Sequence, residues 1–376
     1  MAVPLTRIHL SNYRNFAAAD FCPSPAINLV TGGNGQGKSN LLEAIYYLSS
    51  GRSFRDLADA YLIRQGTGFM RIEGQVDGHD VAMAASAAPR RKTLWIDGIK
   101  HNRLAPLYGF FPALAFVPED LYIVKGPPEV RRSFLDQVLE QALPGYADDR
   151  LRFRRILAQR NRLLAAGGAE ASKSLLAVWD QELCRAGASV MDARWLALRR
   201  IAPLAARLYR EISGEDVPLR LVYHPGGLRQ AMPCSAAGEE GFAALALAAA
   251  VEARRREEMA RGQTLVGPHR DEISFLLGDR NMRFYASQGQ QRTLTLALRL
   301  AQKELLRREW QGRLTVILDD VFSELDAGHQ ERLVQALDGQ VFLATCQPDR
   351  LPRALQERAA VTVGVAGGKL SATAAG

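Results

Sequence analysis

Four residues set the chemistry: Gly32, Gly37, Lys38 and Ser39 stand in the order G-x-x-x-x-G-K-S within I-N-L-V-T-G-G-N-G-Q-G-K-S-N, residues 27–40. Glycines at these places let backbone N–H groups turn inward around a phosphate chain with no Cβ in the way. Lys38 adds a point charge for the β and γ phosphates of a nucleotide, and Ser39 offers a hydroxyl to Mg²⁺. The apolar run before the loop reads as a strand and L-L-E-A-I-Y-Y-L after it as a helix. That helix directs the positive end of its dipole at the same anion.

Carboxylates for the other half of such a site lie far downstream. Leu314 to Leu318, L-T-V-I-L, is an apolar run but for Thr315 and ends in Asp319 and Asp320, the pattern of a buried parallel strand that delivers carboxylates to its C-terminal end. Asp319 is suited to hold Mg²⁺ with Ser39, and Asp320 to position or deprotonate the attacking water. S-E-L-D (Ser323 to Asp326) follows the acidic pair, and Y-A-S-Q-G-Q-Q-R (Tyr285 to Arg292) opens the helical run T-L-T-L-A-L-R-L-A-Q-K-E-L-L. Ser287 and the N–H groups around Gly289, at a helix N-terminus, make a second anion site. A nucleotide already cradled by one loop is not easily reached by both sites of one chain. The economical geometry is a head-to-tail dimer, each nucleotide held between the loop of one chain and the Ser287 helix of the other.

Stepping outward, the elements that must hold these residues read as an α/β core with an antiparallel flank and an inserted, mostly helical lobe. Leu5 to Leu10 alternates as a strand and runs into S-N-Y-R-N-F, a polar turn with two exposed-type aromatics and an Arg14 read as solvated in preference to reaching a nucleotide. Phe69 to Val76, Asp80 to Ser86 and Lys92 to Asp97 form a meander with turns at Asp77-Gly78 and Asp97-Gly98. Ala113 to Val117 is a buried strand, and the prolines of P-E-D-L-Y-I-V-K-G-P-P place a boundary near Gly126. From Glu129 the spacing turns helical. A second helix carries a basic face of Arg150, Arg152, Arg154, Arg155, Arg160 and Arg162, and a third spans about Lys173 to Glu211, its tryptophans read as core. A strand over Val217 to Tyr223, a helix over Glu239 to Met259, and a turn and strand in T-L-V-G-P-H-R-D-E-I-S-F-L-L follow. The expected division is 1–125 with 264–376 for the nucleotide domain and 126–263 for the insertion, with A-G-G-K-L-S-A-T-A-A-G as a weakly ordered tail.

Composition narrows the class. With 376 residues the chain has room for two lobes, and 47% hydrophobic with 23% charged residues is the balance of an ordinary folded protein. Its longest strongly apolar stretch, Phe242 to Val251, is about half the roughly 20 residues a bilayer crossing needs, so no membrane span is expected. Four scattered cysteines without C-x-x-C, and an opening M-A-V-P-L-T-R-I-H-L without the pattern of an export signal, lead to the expectation of a reducing cytoplasm. A net charge of +8 and a pI near 9.5 favour a polyanionic partner such as nucleic acid or an anionic membrane surface, with simple solubility as the equal alternative.

The order of glycine loop, S-Q-G-Q-Q, I-L-D-D and S-E-L-D resembles the ABC-type ATPase heads. N-Y-R-N-F, F-V-P-E-D-L, R-R-x-F-L-D, G-P-H-R-D-E, S-Q-G-Q-Q-R and L-D-D-V-F-S-E-L-D are similar to the RecF branch of that group, which is related to SMC heads. The resemblance implies a cytoplasmic ATPase of recombinational repair that dimerises on ATP and binds DNA at gaps or single-strand/double-strand junctions. It also implies work with RecR and RecO to load RecA. ATP would lie on Gly32, Gly33, Asn34, Gly35, Gln36, Gly37, Lys38, Ser39 and Asn40, and Mg²⁺ on Ser39 and Asp319. Lys38 and Asp320 would be catalytic. Ser287, Gln288, Gly289 and Gln290 would be the signature acting in trans, with Ser323 and Asp326 in the loop after the acidic pair. Asp320 is one methylene shorter than the glutamate usual in ABC heads, A-T-C-Q offers no switch histidine, and P-E-D-L leaves no clear glutamine. Slow hydrolysis, with ATP as a dimer clamp, is the expectation from those departures. The alternatives are the nucleotide-binding subunit of a transporter, against which stands the basic helical insertion, and a monomeric P-loop kinase, which has no use for S-Q-G-Q-Q.

Overall fold

Inward-facing Leu5, Ile8, Leu10 and Tyr13 make the N-terminus a half-buried strand, β1 (Leu5–Tyr13), which turns back at once as β2 (Phe16–Phe21). The computed structural model describes residues 4–108, 110–166, 170–228, 231–234 and 241–374. The chain forms two compact units, residues 1–120 with 303–376 and residues 121–302. In the first, β3 (Ile27–Thr31) passes through the glycine loop into α1 (Lys38–Ser50). Then come β4 (Phe69–Val76), β5 (His79–Ala87), β6 (Arg90–Ile96), β7 (Ile99–His101) and β8 (Ala113–Phe116). The meander joins the N-terminal hairpin in an antiparallel sheet of order β2-β1-β4-β5-β6-β7. Tyr13 and Phe16 are fully buried rather than exposed. They pair across a two-residue turn, so both rings point to the sheet's inner face.

The second unit contains α2 (Tyr122–Lys125), α3 (Pro128–Ala142), α4 (Tyr146–Ala165) and the long α5 (Glu170–Ser213). It continues with β9 (Leu219–His224), β10 (Met232–Pro233), α6 (Ala243–Arg261), β11 (Glu272–Leu277), β12 (Arg280–Asn281) and α7 (Met282–Tyr285). The expected start of the α6 helix, Glu239 and Glu240, lies outside the described residues. Its sheet runs β10-β9-β11-β12, and because β9 pairs with β11 the unit extends beyond residue 263 into α8 (Gln288–Glu309). Buried arginines organise its interior. Arg194 bonds both Asp136 and Asp271, with Tyr146 and Tyr223 donating to the same two carboxylates, and Arg131 makes a two-pronged pair with Glu272.

Of the basic face expected on α4 only Arg160 is buried, although two further arginines are engaged in ion pairs. Arg160, with no exposed surface, bonds Asp180, Glu258 and Thr264; Arg150 pairs with Asp136 and Glu140, and Arg152 with Glu182. Arg154 and Arg155 remain exposed with no ion pair among the described residues. Trp195 is buried against Tyr223 and Phe242, as its helical spacing suggested.

Back in the first unit, β13 (Thr315–Asp319), α9 (Ala327–Ala336), β14 (Val341–Thr345), α10 (Arg353–Arg358), β15 (Ala359–Ala366) and β16 (Lys369–Ala374) complete the chain. The second sheet has the order β16-β15-β3-β14-β13-β8, parallel except for the β15–β16 hairpin. Most of the segment read as a loose tail is thus the edge strand β16, and its last two residues lie outside the described residues. Gly367 and Gly368, at φ of 55° and 74°, supply the two positive-φ residues that a tight hairpin turn requires. Helix α1 is packed between the two sheets: Leu41, Ala44, Ile45 and Leu48 share one core with Ile8, Ile72 and Met83 on one side and Ile317, Phe342 and Ala344 on the other. No helix among the described residues is long and apolar enough to cross a membrane.

Candidate nucleotide site

Both halves of the sequence-derived site sit at the C-terminal ends of parallel strands β3 and β13 in the first unit. Ser39 and Asp319, 280 positions apart, meet: the Ser39 hydroxyl donates to Asp319 Oδ1 at 2.7 Å. The buried Lys38 ammonium donates to the carbonyls of Gly32 and Gly33, each at 2.9 Å, which holds it across the mouth of the loop. Gly32 is required sterically, since a Cβ there would stand 2.3 Å from the Val365 carbonyl oxygen. At Gly37, with φ of 117°, it would stand 2.5 Å from Asn15 Nδ2.

Burial holds the Asp319 carboxyl above its ordinary range, opposed by the Ser39 hydrogen bond and the Arg55 guanidinium and reinforced by the like charges of Glu119 and Asp320. Asp320 is also raised by burial, with Lys38 opposing and Glu324 adding to the shift. Its backbone turns into the left-handed region at φ of 51°, which ends the strand and separates its carboxylate from that of Asp319. Among the described residues no cluster of three or more His, Cys, Asp or Glu is arranged as a metal site. One hydroxyl and one carboxylate is nevertheless the donor set that suits Mg²⁺, which keeps most of its shell as water and substrate phosphate.

The other sequence-derived residues have local roles. Ser287 and Gln290 cap α8 reciprocally: Ser287 Oγ accepts from the Gln290 N–H at 3.2 Å, and Gln290 Oε1 from the Ser287 N–H at 3.1 Å. Ser287, Gln288 and Gly289 are exposed on the second unit. Ser323 Oγ donates to the Asp320 carbonyl at 2.7 Å, and Asp326 caps α9 through the His329 N–H at 3.0 Å.

Three participants escaped the motif reading. Arg55 Nη2 lies 3.4 Å from Asp319 Oδ2. Glu43, with no exposed surface, accepts from Tyr13, Ser53 and both prongs of Arg14, so Arg14 ties the β1–β2 turn to α1 instead of being merely solvated. Asn15 donates to the Gln36 carbonyl at 2.7 Å and accepts from Asn40 at 2.8 Å. A fully apolar helix face interrupted by Glu43 was the one available signal; contacts of Asn15 and Arg55 depend on tertiary packing.

A parallel sheet presenting a phosphate loop and an acidic strand end beside an antiparallel sheet, with a helical unit in between in sequence, defines an SMC-type ATPase head. Likeness of fold alone is seen with the Smc head domain of Pyrococcus furiosus, at TM-score 0.53 and 14% identity over 98% of this chain and 96% of that one. Residues 4–363 match the family described as RecF/RecN/SMC N terminal domain. The DNA replication and repair protein RecF of Moorella thermoacetica is 37% identical over 95% of this chain and 94% of its own, and that of Bacillus cereus 33% over 92% of each. The solved structure of the recombination mediator protein RecF-ATP in the RecFOR pathway superposes at TM-score 0.89 with 28% identity, covering 99% of this chain and 98% of that one. The chain belongs to the RecF family.

Proposed function

We propose that this chain is an ATPase of DNA repair that works as an ATP-gated, DNA-binding switch. Membership of the RecF family supports the repair role and the ATPase head, since its relatives are named DNA replication and repair protein RecF. The observation that carries the nucleotide reading is the meeting of Ser39 with Asp319 beside the glycine loop and Lys38. Residues 32–40 bind the triphosphate, Ser39 and Asp319 hold Mg²⁺, and Asp320 orients the attacking water or takes its proton. Bound Mg²⁺ would neutralise charge on the β and γ phosphates. The glycine loop and the acidic strand end belong to the first compact unit, and the exposed Ser287 loop of the second completes the site of a second copy in trans. Pairing on ATP closes the dimer on gapped or junction DNA, slow hydrolysis releases it, and RecR and RecO act with it to load RecA. The cytoplasm is the compartment that fits this work.

The repair names of the relatives favour this reading over the transporter subunit. ATPase assays with and without gapped duplex, in the absence of membranes, test it. DNA should stimulate turnover, and indifference to DNA would count against the switch.

A further inference from the structure

The peptide between Gln36 and Gly37 is clamped from outside the loop. Asn15 Nδ2 donates to the Gln36 carbonyl at 2.7 Å, and the Gly368 N–H, from the β15–β16 turn, donates to the same oxygen at 3.3 Å. A trans peptide points its C=O and N–H in opposite directions. With the carbonyl fixed outward, the Gly37 N–H is fixed inward, toward the concave side where a phosphate would sit. The clamp is itself held. Asn40 Nδ2, in the first turn of α1, donates to Asn15 Oδ1 at 2.8 Å and so fixes which face of the amide meets Gln36. Arg64 holds the Asn15 backbone carbonyl at 2.6 Å, and the Gly367 N–H donates to Gln36 Oε1 at 2.7 Å.

We propose that Asn15 is a positioning residue for nucleotide binding, which preorganises the Gly37 N–H from the turn between β1 and β2. The inference rests on the phosphate-loop reading of residues 32–39. Its chemistry is specific: the side chain must donate toward Gln36 while accepting from Asn40, which an amide does and a carboxylate does not. Because loop N–H groups of this kind cradle the α and β phosphates, the effect falls on ADP and ATP alike.

The test is Asn15→Asp in the full chain, with Asn15→Ala as the uncharged second variant and Lys38→Ala as control. Binding of ADP and ATP is titrated beside the thermal midpoint of the nucleotide-free protein. Both Asn15 variants should weaken both nucleotides by about tenfold, the scale of one well-placed hydrogen bond, with the nucleotide-free midpoint unchanged. Wild-type affinity in both variants would overturn the proposal, and so would an affinity loss matched by a lower nucleotide-free midpoint, which would reduce Asn15 to a role in folding. In either case the phosphate-loop reading survives as long as wild type binds and Lys38→Ala does not. If wild type itself binds neither nucleotide, that reading falls and the proposal with it.

Discussion

Lys38 and Ser287 belong to different compact units and should fail in different ways when changed. Lys38→Ala removes the ammonium that bridges the loop carbonyls, so equilibrium titration should find ATP binding lost. Ser287→Arg puts a bulky cation on an exposed cap and should leave ATP binding intact while abolishing ATP-dependent dimerisation in sizing runs. Equal loss of affinity in both would contradict a composite site. Asp320→Asn should lengthen the life of the ATP-bound dimer, because the amide takes up no proton; dissociation kinetics at wild-type rate would remove Asp320 from that role. Much of this was legible at the level of single residues, since the loop and the acidic strand end are each spelled out over a few adjacent positions. Asn15 and Arg55 were not, because their partners lie 21 and 264 positions away and no local pattern announces them.

At the scale of elements, the position of the helices in the insertion could be read from apolar spacing, but the destination of their charge could not. An arginine every three or four residues looks the same whether it faces a polyanion or, like Arg160, sits buried between Asp180 and Glu258. Removing one partner of such a buried set leaves uncompensated charge, so Arg160→Met should destabilise the fold by about 3–5 kcal/mol in chemical denaturation. Near-wild-type stability would show that the interior tolerates the unpaired carboxylates. His269 makes a second prediction. Burial pushes its pKa down to about 4, with Thr264's carbonyl opposing and nearby arginines helping. Between its ordinary value of 6.5 and about 4 the unfolded chain binds the proton and the folded one does not, so stability present above pH 6.5 is lost as pH falls through this window. Allowing for its partial exposure, the contribution is of order 1–2 kcal/mol. His269→Gln should flatten the midpoint-versus-pH curve there, and an unaltered slope would assign the acid sensitivity elsewhere. The β16 edge strand was missed for a related reason: small residues after two glycines resemble a loose end until β15 is there to pair with.

For the whole molecule, the net charge of +8 now has fewer places to act, because Arg150, Arg152, Arg160, Arg194, Arg254 and Arg255 are engaged with carboxylates. DNA binding driven by the remaining cations should still be a matter of counterion release. With six to ten phosphates contacted, affinity should fall by about 10³–10⁵ between 50 and 200 mM salt, and a flat profile would argue against backbone contact. The fold class was legible in the alternation of strands and helices. The extent of the helical unit was not, since the β9–β11 pairing that carries it past residue 263 joins segments about 50 positions apart. The most direct test is sedimentation of the Asp320→Asn chain with saturating ATP and Mg²⁺, with and without gapped duplex. A dimer that appears with ATP, and is abolished by Ser287→Arg, is the predicted result; a chain that stays monomeric at high concentration under these conditions would contradict the account.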